Sequence, residues 1–254
     1  MPWRYLQDLT AVAGLSAPVL MALTDRIQSV LSAHATSLSP TKTPEKFSLV
    51  SRVSHGGNAL WIFGRDATTA GRLGKPLTSW LGLWKLNMSN KGAVGVRLPI
   101  SRGEKEGGWE TLTYIYWLGR ILADSSFICT HLEAHGHNIK TRNAQYQNIL
   151  SSLIFRSSDP LSTPYQVFDS SHIFLMGDLN YRLAKLPSTG WPREGRQTDD
   201  VLALEKERVE MVELDTLRIE QREGRVAGGL REGDLSRFAP TYKRIVGQVD
   251  GYAK

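Results

Sequence analysis

Residues 174–182 read FLMGDLNYR, an apolar segment that runs straight into a carboxylate and a carboxamide. The pattern is that of a strand delivering Asp178 and Asn180, two residues apart, to its C-terminal end. Positions i and i+2 of a strand face the same side, so the two groups are expected to converge on one reacting group. Asp178 can orient and deprotonate a water. Asn180 can donate an amide N–H to a phosphoryl oxygen. A strand followed by an ordinary Asx turn accounts for the same residues equally well, so the motif gains weight only from what accompanies it.

Three further segments accompany it. Residues 127–135, FICTHLEAH, form a second strand candidate ending in His131, followed by His135 and then Arg142-Asn143. A histidine at a strand end can bond a phosphate or donate a proton. The pair His131 and His135 lacks the HExxH order of a zinc protease. Residues 90–97, NKGAVGVR, place Lys91 on the approach to a strand, with Arg97 on that strand's polar face. Residues 239–244, APTYKR, put Tyr242 beside Lys243 and Arg244. Each is a reasonable phosphate grip, and each taken singly is also an unremarkable exposed turn.

The rest of the chain supplies a frame for them. A helix is expected from Ser16 to Ser32, with Leu20, Leu23, Ile27 and Val30 on one face. Phe47–Val53 and Ala59–Phe63 read as strands joined at the turn His55-Gly56-Gly57-Asn58. Ala93–Ile100 alternates, Val94, Val96, Leu98 and Ile100 on one side and Gly95, Arg97 and Pro99 on the other. Thr111–Tyr116, Ser126–His131 and His172–Met176 are further strands. Ile139–Phe155 and Asp199–Glu223 are helical, the latter with Leu204, Met211, Leu214 and Leu217 inside. Strands preceding and separating helices give an α/β or α+β class in one domain.

Composition excludes several alternatives. The 254 residues are 41% hydrophobic and 22% charged, which rules out wholesale disorder. The single cysteine, Cys129, rules out an intrachain disulfide and a Cys-rich zinc site, and a reducing, cytoplasmic setting is expected. No apolar run reaches the roughly 18–20 residues of a membrane span, so membrane attachment is expected to be peripheral. Net charge is +6. Residues 193–237 hold nine basic and twelve acidic residues, leaving 22 basic against 13 acidic elsewhere. That surplus suits an acidic partner: nucleic acid, anionic lipid or a phosphorylated small molecule.

Together, in this order, the four segments resemble the inositol polyphosphate 5-phosphatase family. NKGAVGVR is similar to its first block, THLEAH with RNAQYQNI to its second and GDLNYR to its third. LDTLRIEQREGRVAGGLREGDLSRFAPTYKR is similar to its long fourth block. The resemblance implies the endonuclease/exonuclease/phosphatase (deoxyribonuclease-like) fold, a two-sheet β-sandwich flanked by helices. It implies a phosphoric monoester hydrolase that removes the 5-phosphate of phosphoinositides or inositol polyphosphates with Mg²⁺. By motif, Asp178 would orient water, Asn180 would bind the scissile phosphate and His131 would sit at the phosphate or leaving group. Arg142, Asn143 and Arg182 would support the same pocket as substrate-binding residues. Lys91, Tyr242 and Lys243 would grip a neighbouring inositol phosphate. Lipid headgroups or soluble inositol phosphates are then the partners, on a peripheral anionic membrane surface, with the protein a monomer that binds no nucleic acid.

The departures generate expectations of their own. The opening strand with its metal-site Asn and the closing Asp–His block have no counterpart, so residues 1–254 are expected to be a catalytic domain incomplete at both termini. Asp8, in Gln7-Asp8, is the candidate for a metal-binding Glu. Ile115–Ser125 reads as an insertion within one strand. The missing elements are expected to lay bare Val94, Val96 and Leu98, leaving the chain unstable and inactive. A phosphoinositide-binding relative without catalysis is the alternative function. A nuclease of the same fold is disfavoured, because nucleases need a long phosphate track.

Overall fold

The computed structural model describes residues 17–39, 41, 43–83, 91–101, 122–185 and 201–237. The chain divides into two compact units. A sheet unit comprises Trp3–Leu132 and Asn148–Leu179; a helical unit comprises Met1–Pro2, Glu133–Gln147 and Asn180–Lys254.

The sheet unit opens with helix α1 (Ala17–Leu38), followed by the hairpin β1 (Phe47–His55) and β2 (Asn58–Arg65). The two-residue turn Gly56-Gly57 joins them, with Gly56 at φ 56°, where a left-handed residue matches the twist of the strands. A one-turn helix, α2 (Asp66–Thr69), leads to β3 (Leu77–Gly82), β4 (Gly92–Ser101) and β5 (Leu122–His131). Helix α3 (Ile139–Ser152) precedes the short pair β6 (Ile154–Phe155) and β7 (Tyr165–Gln166), then β8 (His172–Asp178). The larger sheet has the order β3-β4-β5-β8, antiparallel through β5 and parallel between β5 and β8. In the helical unit, α4 (Val201–Leu214) and α5 (Thr216–Arg222) meet at Asp215, whose carboxylate accepts the Leu217 N–H as a helix cap.

Two sheets face each other as the sequence predicts. Val94 and Val96 of β4 pack on Val53 and Leu60 of the hairpin, with Ile62, Phe127 and Cys129 around them. Val94 and Val96 are fully enclosed and Leu98 is 3% exposed. The expectation that these side chains lie bare is therefore wrong, because the β1–β2 hairpin covers Val94 and Val96. Burying each valine contributes about 1.5–3 kcal/mol.

The other face of β4 is buried too, which alternation alone did not reveal. Gly95 lies against Leu153 and Phe155, and Arg97 is 5% exposed. Arg97 pairs with Asp124 and stacks its guanidinium over the Tyr165 ring at 3.7 Å. The supposed polar face is a second interior, and Arg97 is a neutralised core group rather than an open phosphate grip.

Other boundaries shift for physical reasons. Residues 122–125, read as part of an insertion, belong to β5 and pair with Ser101 back to Leu98. The remainder of that segment, and the strand expected at Thr111–Tyr116, lie outside the described residues. Helix α1 docks through Leu20 and Thr24, where the Thr24 hydroxyl accepts the Trp61 indole N–H at 2.9 Å and an Arg52 N–H at 3.2 Å. Further along the helix, the Ser32 and Thr36 hydroxyls accept the Phe47 and Glu45 N–H groups, while Val30 is half exposed. Helix α3 stops at Ser152, since Ile154 and Phe155 pair with Gln166 and Tyr165. Of the expected inner stripe Met211 is buried and Leu214 and Leu217 are half-buried; among the described residues Thr216 and Glu220 are buried as well, and the side chain of Leu204 lies outside them.

Gly95 tests this packing. A Cβ there would lie 2.8 Å from Leu153 Cδ2 and 3.1 Å from a Phe155 ring carbon. Gly95→Val is expected to cost about 1–3 kcal/mol by overpacking, measured by denaturant unfolding; an unchanged midpoint would mean this face is not closed.

Candidate functional site

The register of the large sheet assembles one end of it. Gly92 of β4 pairs with His131 of β5, and His131 pairs with Asp178 of β8. Paired residues on adjacent strands share a face. His131 and Asp178 therefore continue the row of Val94 and Cys129, at the rim of the core. Lys91 immediately precedes Gly92, and its Nζ lies 2.6 Å from His131 Nε2. Asp178 Oδ2 lies 3.8 Å from the same nitrogen. His131 is mostly covered, its side chain 18% exposed against 40% for Asp178.

Donor chemistry assigns the proton. An ammonium has only donors, so Nε2 of His131 must accept, and the neutral ring carries its proton on Nδ1. A cation, a polarised imidazole and a carboxylate thus stand in a row. Such a set can hold an anion, orient a water and supply a proton site beside both. Below them lies Cys129, whose thiol is pushed up to about 11 by burial and stays protonated.

Two glycines make the row possible. A Cβ on Gly177, at φ 120°, would fall 2.1 Å from the Thr130 carbonyl oxygen, and one on Gly92 would fall 2.3 Å from the Leu81 carbonyl oxygen. Strand ends approach too closely there for any other residue. The Leu132 N–H then donates to the Asp178 carbonyl at 3.0 Å, closing the end of the parallel pair.

Among the described residues, the remaining candidates fall in the helical unit. Asn180 has φ 55°, and β8 ends at Asp178, so strand alternation does not relate the two as the sequence reading assumed. Arg182 Nη2 lies 3.4 Å from Asn180 Oδ1. Arg142, expected at substrate, has no exposed surface; it donates to the carbonyls of Glu133, His135 and Gly136 and so braces the loop after β5. Burial works against its charge and lowers its pKa. Asn143 has both ends of its amide engaged, Nδ2 donating to Glu220 and Oδ1 accepting from the Tyr181 hydroxyl, each at 2.6 Å. Glu220, Tyr181 and Arg225 were not singled out from sequence. The available signal was a glutamate four residues after Thr216, on a helix face that proves to be buried. Asp8, Tyr242 and Lys243 lie outside the described residues. Among the described residues no three His, Cys, Asp or Glu side chains gather as a metal site. Nor is any described helix long and apolar enough to cross a membrane.

The architecture belongs to a recognisable class. The sequence model of Endonuclease/Exonuclease/phosphatase family 2 matches residues 8–254, and the chain belongs to that family. It is similar to type I inositol polyphosphate 5-phosphatase 8 of Arabidopsis thaliana, 38% identical over 120 residues, covering 46% of this chain and 22% of that protein. It is also similar to the type II inositol 1,4,5-trisphosphate 5-phosphatase of Mus musculus, 31% identical over 166 residues, covering 64% and 14%. The chain thus spans less than a quarter of either relative. A solved structure, the inositol polyphosphate 5-phosphatase domain of SPsynaptojanin with inositol (1,4)-bisphosphate and calcium ion, shares the fold at TM-score 0.67 and 20% identity, covering 96% of this chain and 58% of that one.

The close strand approach at the site gives a direct check. Gly177→Ala combines a clash with an unfavourable φ and is expected to cost at least about 1–3 kcal/mol. Hydrogen exchange at the Leu132 amide should then speed up about tenfold or more; unchanged protection would contradict the tight junction of β5 and β8.

Proposed function

We propose that this chain carries the catalytic chemistry of an inositol polyphosphate 5-phosphatase, a hydrolase that transfers the 5-phosphoryl group of a phosphoinositide or inositol polyphosphate to water. The observation that carries the reading is the convergence of Lys91, His131 and Asp178 at one end of the sheet in a member of this family. The similarity to inositol polyphosphate 5-phosphatases supports the choice of substrate.

In this reading Asp178 orients the attacking water and accepts its proton as the new P–O bond forms. The bond from phosphorus to the inositol oxygen breaks, and that oxygen leaves as an alkoxide that takes up a proton. His131 lies at the phosphate or leaving group, its ring held by the Lys91 ammonium. Lys91 has three N–H donors, so bonding the imidazole is compatible with gripping a neighbouring phosphate. Asn180 as the ligand of the scissile phosphate, and Arg182, Tyr242 and Lys243 as further phosphate contacts, follow from the motif resemblance. A bound divalent cation, Mg²⁺ by the same resemblance, supplies charge neutralisation for the phosphoryl group. The net charge of +6 suits polyanionic substrates at a membrane surface, peripherally and from the cytoplasmic side.

The test is phosphate release with magnesium from soluble inositol 1,4,5-trisphosphate and from vesicles containing phosphatidylinositol 4,5-bisphosphate. Asp178→Asn is expected to lower the rate about 10²–10⁴-fold. Lys91→Met should raise KM through the lost contact to a non-reacting phosphate and also lower kcat, because the His131 ring loses the ammonium that orients it. Near-wild-type turnover by Asp178→Asn would overturn the assignment. Saturable binding of either substrate without any hydrolysis would favour the non-catalytic relative.

A further inference from the structure

We propose that Glu220 is a positioning residue for the phosphatase site, acting through Asn143 and the Tyr181 hydroxyl to hold the left-handed turn at Asn180. The proposal rests on the reading above for the part Asn180 plays in the reaction.

Asn180 departs from strand geometry at φ 55°. Asparagine tolerates that conformation better than most residues, yet a single such residue is held only when its neighbours are fixed. Both following residues are fixed by one face of α5. Thr216 and Glu220 stand four apart on that helix, and both are buried. Thr216 brackets Arg182: its hydroxyl accepts the Arg182 N–H at 3.1 Å and donates to the Arg182 carbonyl at 2.6 Å, which also accepts the Thr216 N–H at 3.0 Å. One residue nearer the turn, the Tyr181 hydroxyl donates to Asn143 Oδ1, and Asn143 Nδ2 donates to Glu220 Oε2.

The polarity of this relay starts at Glu220. A carboxylate accepts only, so the Asn143 amino group must face it, which turns Oδ1 towards Tyr181 and makes the phenol the donor. Arg225 fixes the charge, pairing with both carboxylate oxygens, and holds the Glu220 carboxyl below its ordinary range. Gln147 in turn donates to the Arg225 carbonyl at 3.2 Å. Burial pushes the Tyr181 hydroxyl up to about 12, so it remains a donor across the working pH range. A glutamine at 220 has the same shape but can present an N–H to Asn143, which would leave the amide free to flip and the Tyr181 hydroxyl facing another donor.

The experiment uses the full chain with three substitutions: Glu220→Gln, Tyr181→Phe and, as a stability control outside the relay, Ile149→Val. Phosphate release gives kcat and KM, and ¹⁵N relaxation gives order parameters for the Asn180 and Arg182 amides. Glu220→Gln and Tyr181→Phe are each expected to lower kcat about tenfold with little change in KM. The double variant should be no worse than the poorer single one, as for two members of one relay. The Asn180 order parameter should fall from about 0.85 towards 0.6 in both. Ile149→Val, which shortens a core side chain, should lower the melting temperature and leave kcat and the Asn180 amide unchanged. Unchanged order parameters in both relay variants overturn the proposal. So does wild-type kcat in a variant whose turn has loosened, or a kcat loss matched by Ile149→Val. A wild-type chain that releases no phosphate overturns the 5-phosphatase reading; the order parameters still decide whether Glu220 sets the turn.

Discussion

The register of β5 between β4 and β8 puts three chemically unlike groups at one end of the sheet: the lysine before Gly92, His131, and Asp178. A one-residue slip of β5 against β8 would put His131 and Asp178 on opposite faces, and a slip of β5 against β4 would carry His131 away from Lys91. Register is therefore the constraint on which the candidate chemistry depends. It is enforced from two directions. Val94, Val96 and Phe127 must face the hairpin core, and Gly177 and Gly92 admit a backbone approach that no other residue permits. Packing and site are coupled, so a change that shifts the strands to relieve the core also separates the imidazole from its partners.

The helical unit uses a different device. Instead of a packed apolar core alone, it holds polar side chains by pairing them with one another and with the backbone: Arg142 on three carbonyls, Asn143 between Tyr181 and Glu220, and Glu220 on Arg225. Burying such groups stabilises little relative to apolar replacements, but leaving any one of them unpaired costs about 1–3 kcal/mol. Networks of this kind fix geometry more than they add stability. That suits a segment in which Asn180 must keep a conformation most residues avoid.

Much of this was legible in the sequence, and the parts that were not have physical reasons. The strand ends at His131 and Asp178 were visible because apolar runs stop there on polar groups. The hairpin turn was visible because Gly56-Gly57 separates two β-rich runs. The resemblance that led to the endonuclease/exonuclease/phosphatase family was carried by motif order. Alternation in β4 suggested one polar face, because Arg97 looks like a surface residue until Asp124 and Tyr165, far away in sequence, neutralise and cover it. Strand spacing suggested that Asp178 and Asn180 share a side, but spacing cannot report that β8 ends between them. The role of Glu220 was hidden because its partners, Asn143, Tyr181 and Arg225, come from three separate segments. Asp8, Tyr242 and Lys243, assigned by motif alone, lie outside the described residues.

The proposed chemistry depends on the contact between Lys91 and His131, which orients the imidazole beside Asp178. Imidazole ¹⁵N chemical shifts of His131, recorded at a pH where the ring is neutral, report which nitrogen carries the proton. With the Lys91 ammonium donating to Nε2, the proton is predicted on Nδ1, and Lys91→Met should remove that bias while leaving the fold intact. A ring protonated on Nε2 in the wild-type protein, or a tautomer indifferent to Lys91, would contradict the arrangement from which the proposed chemistry is derived.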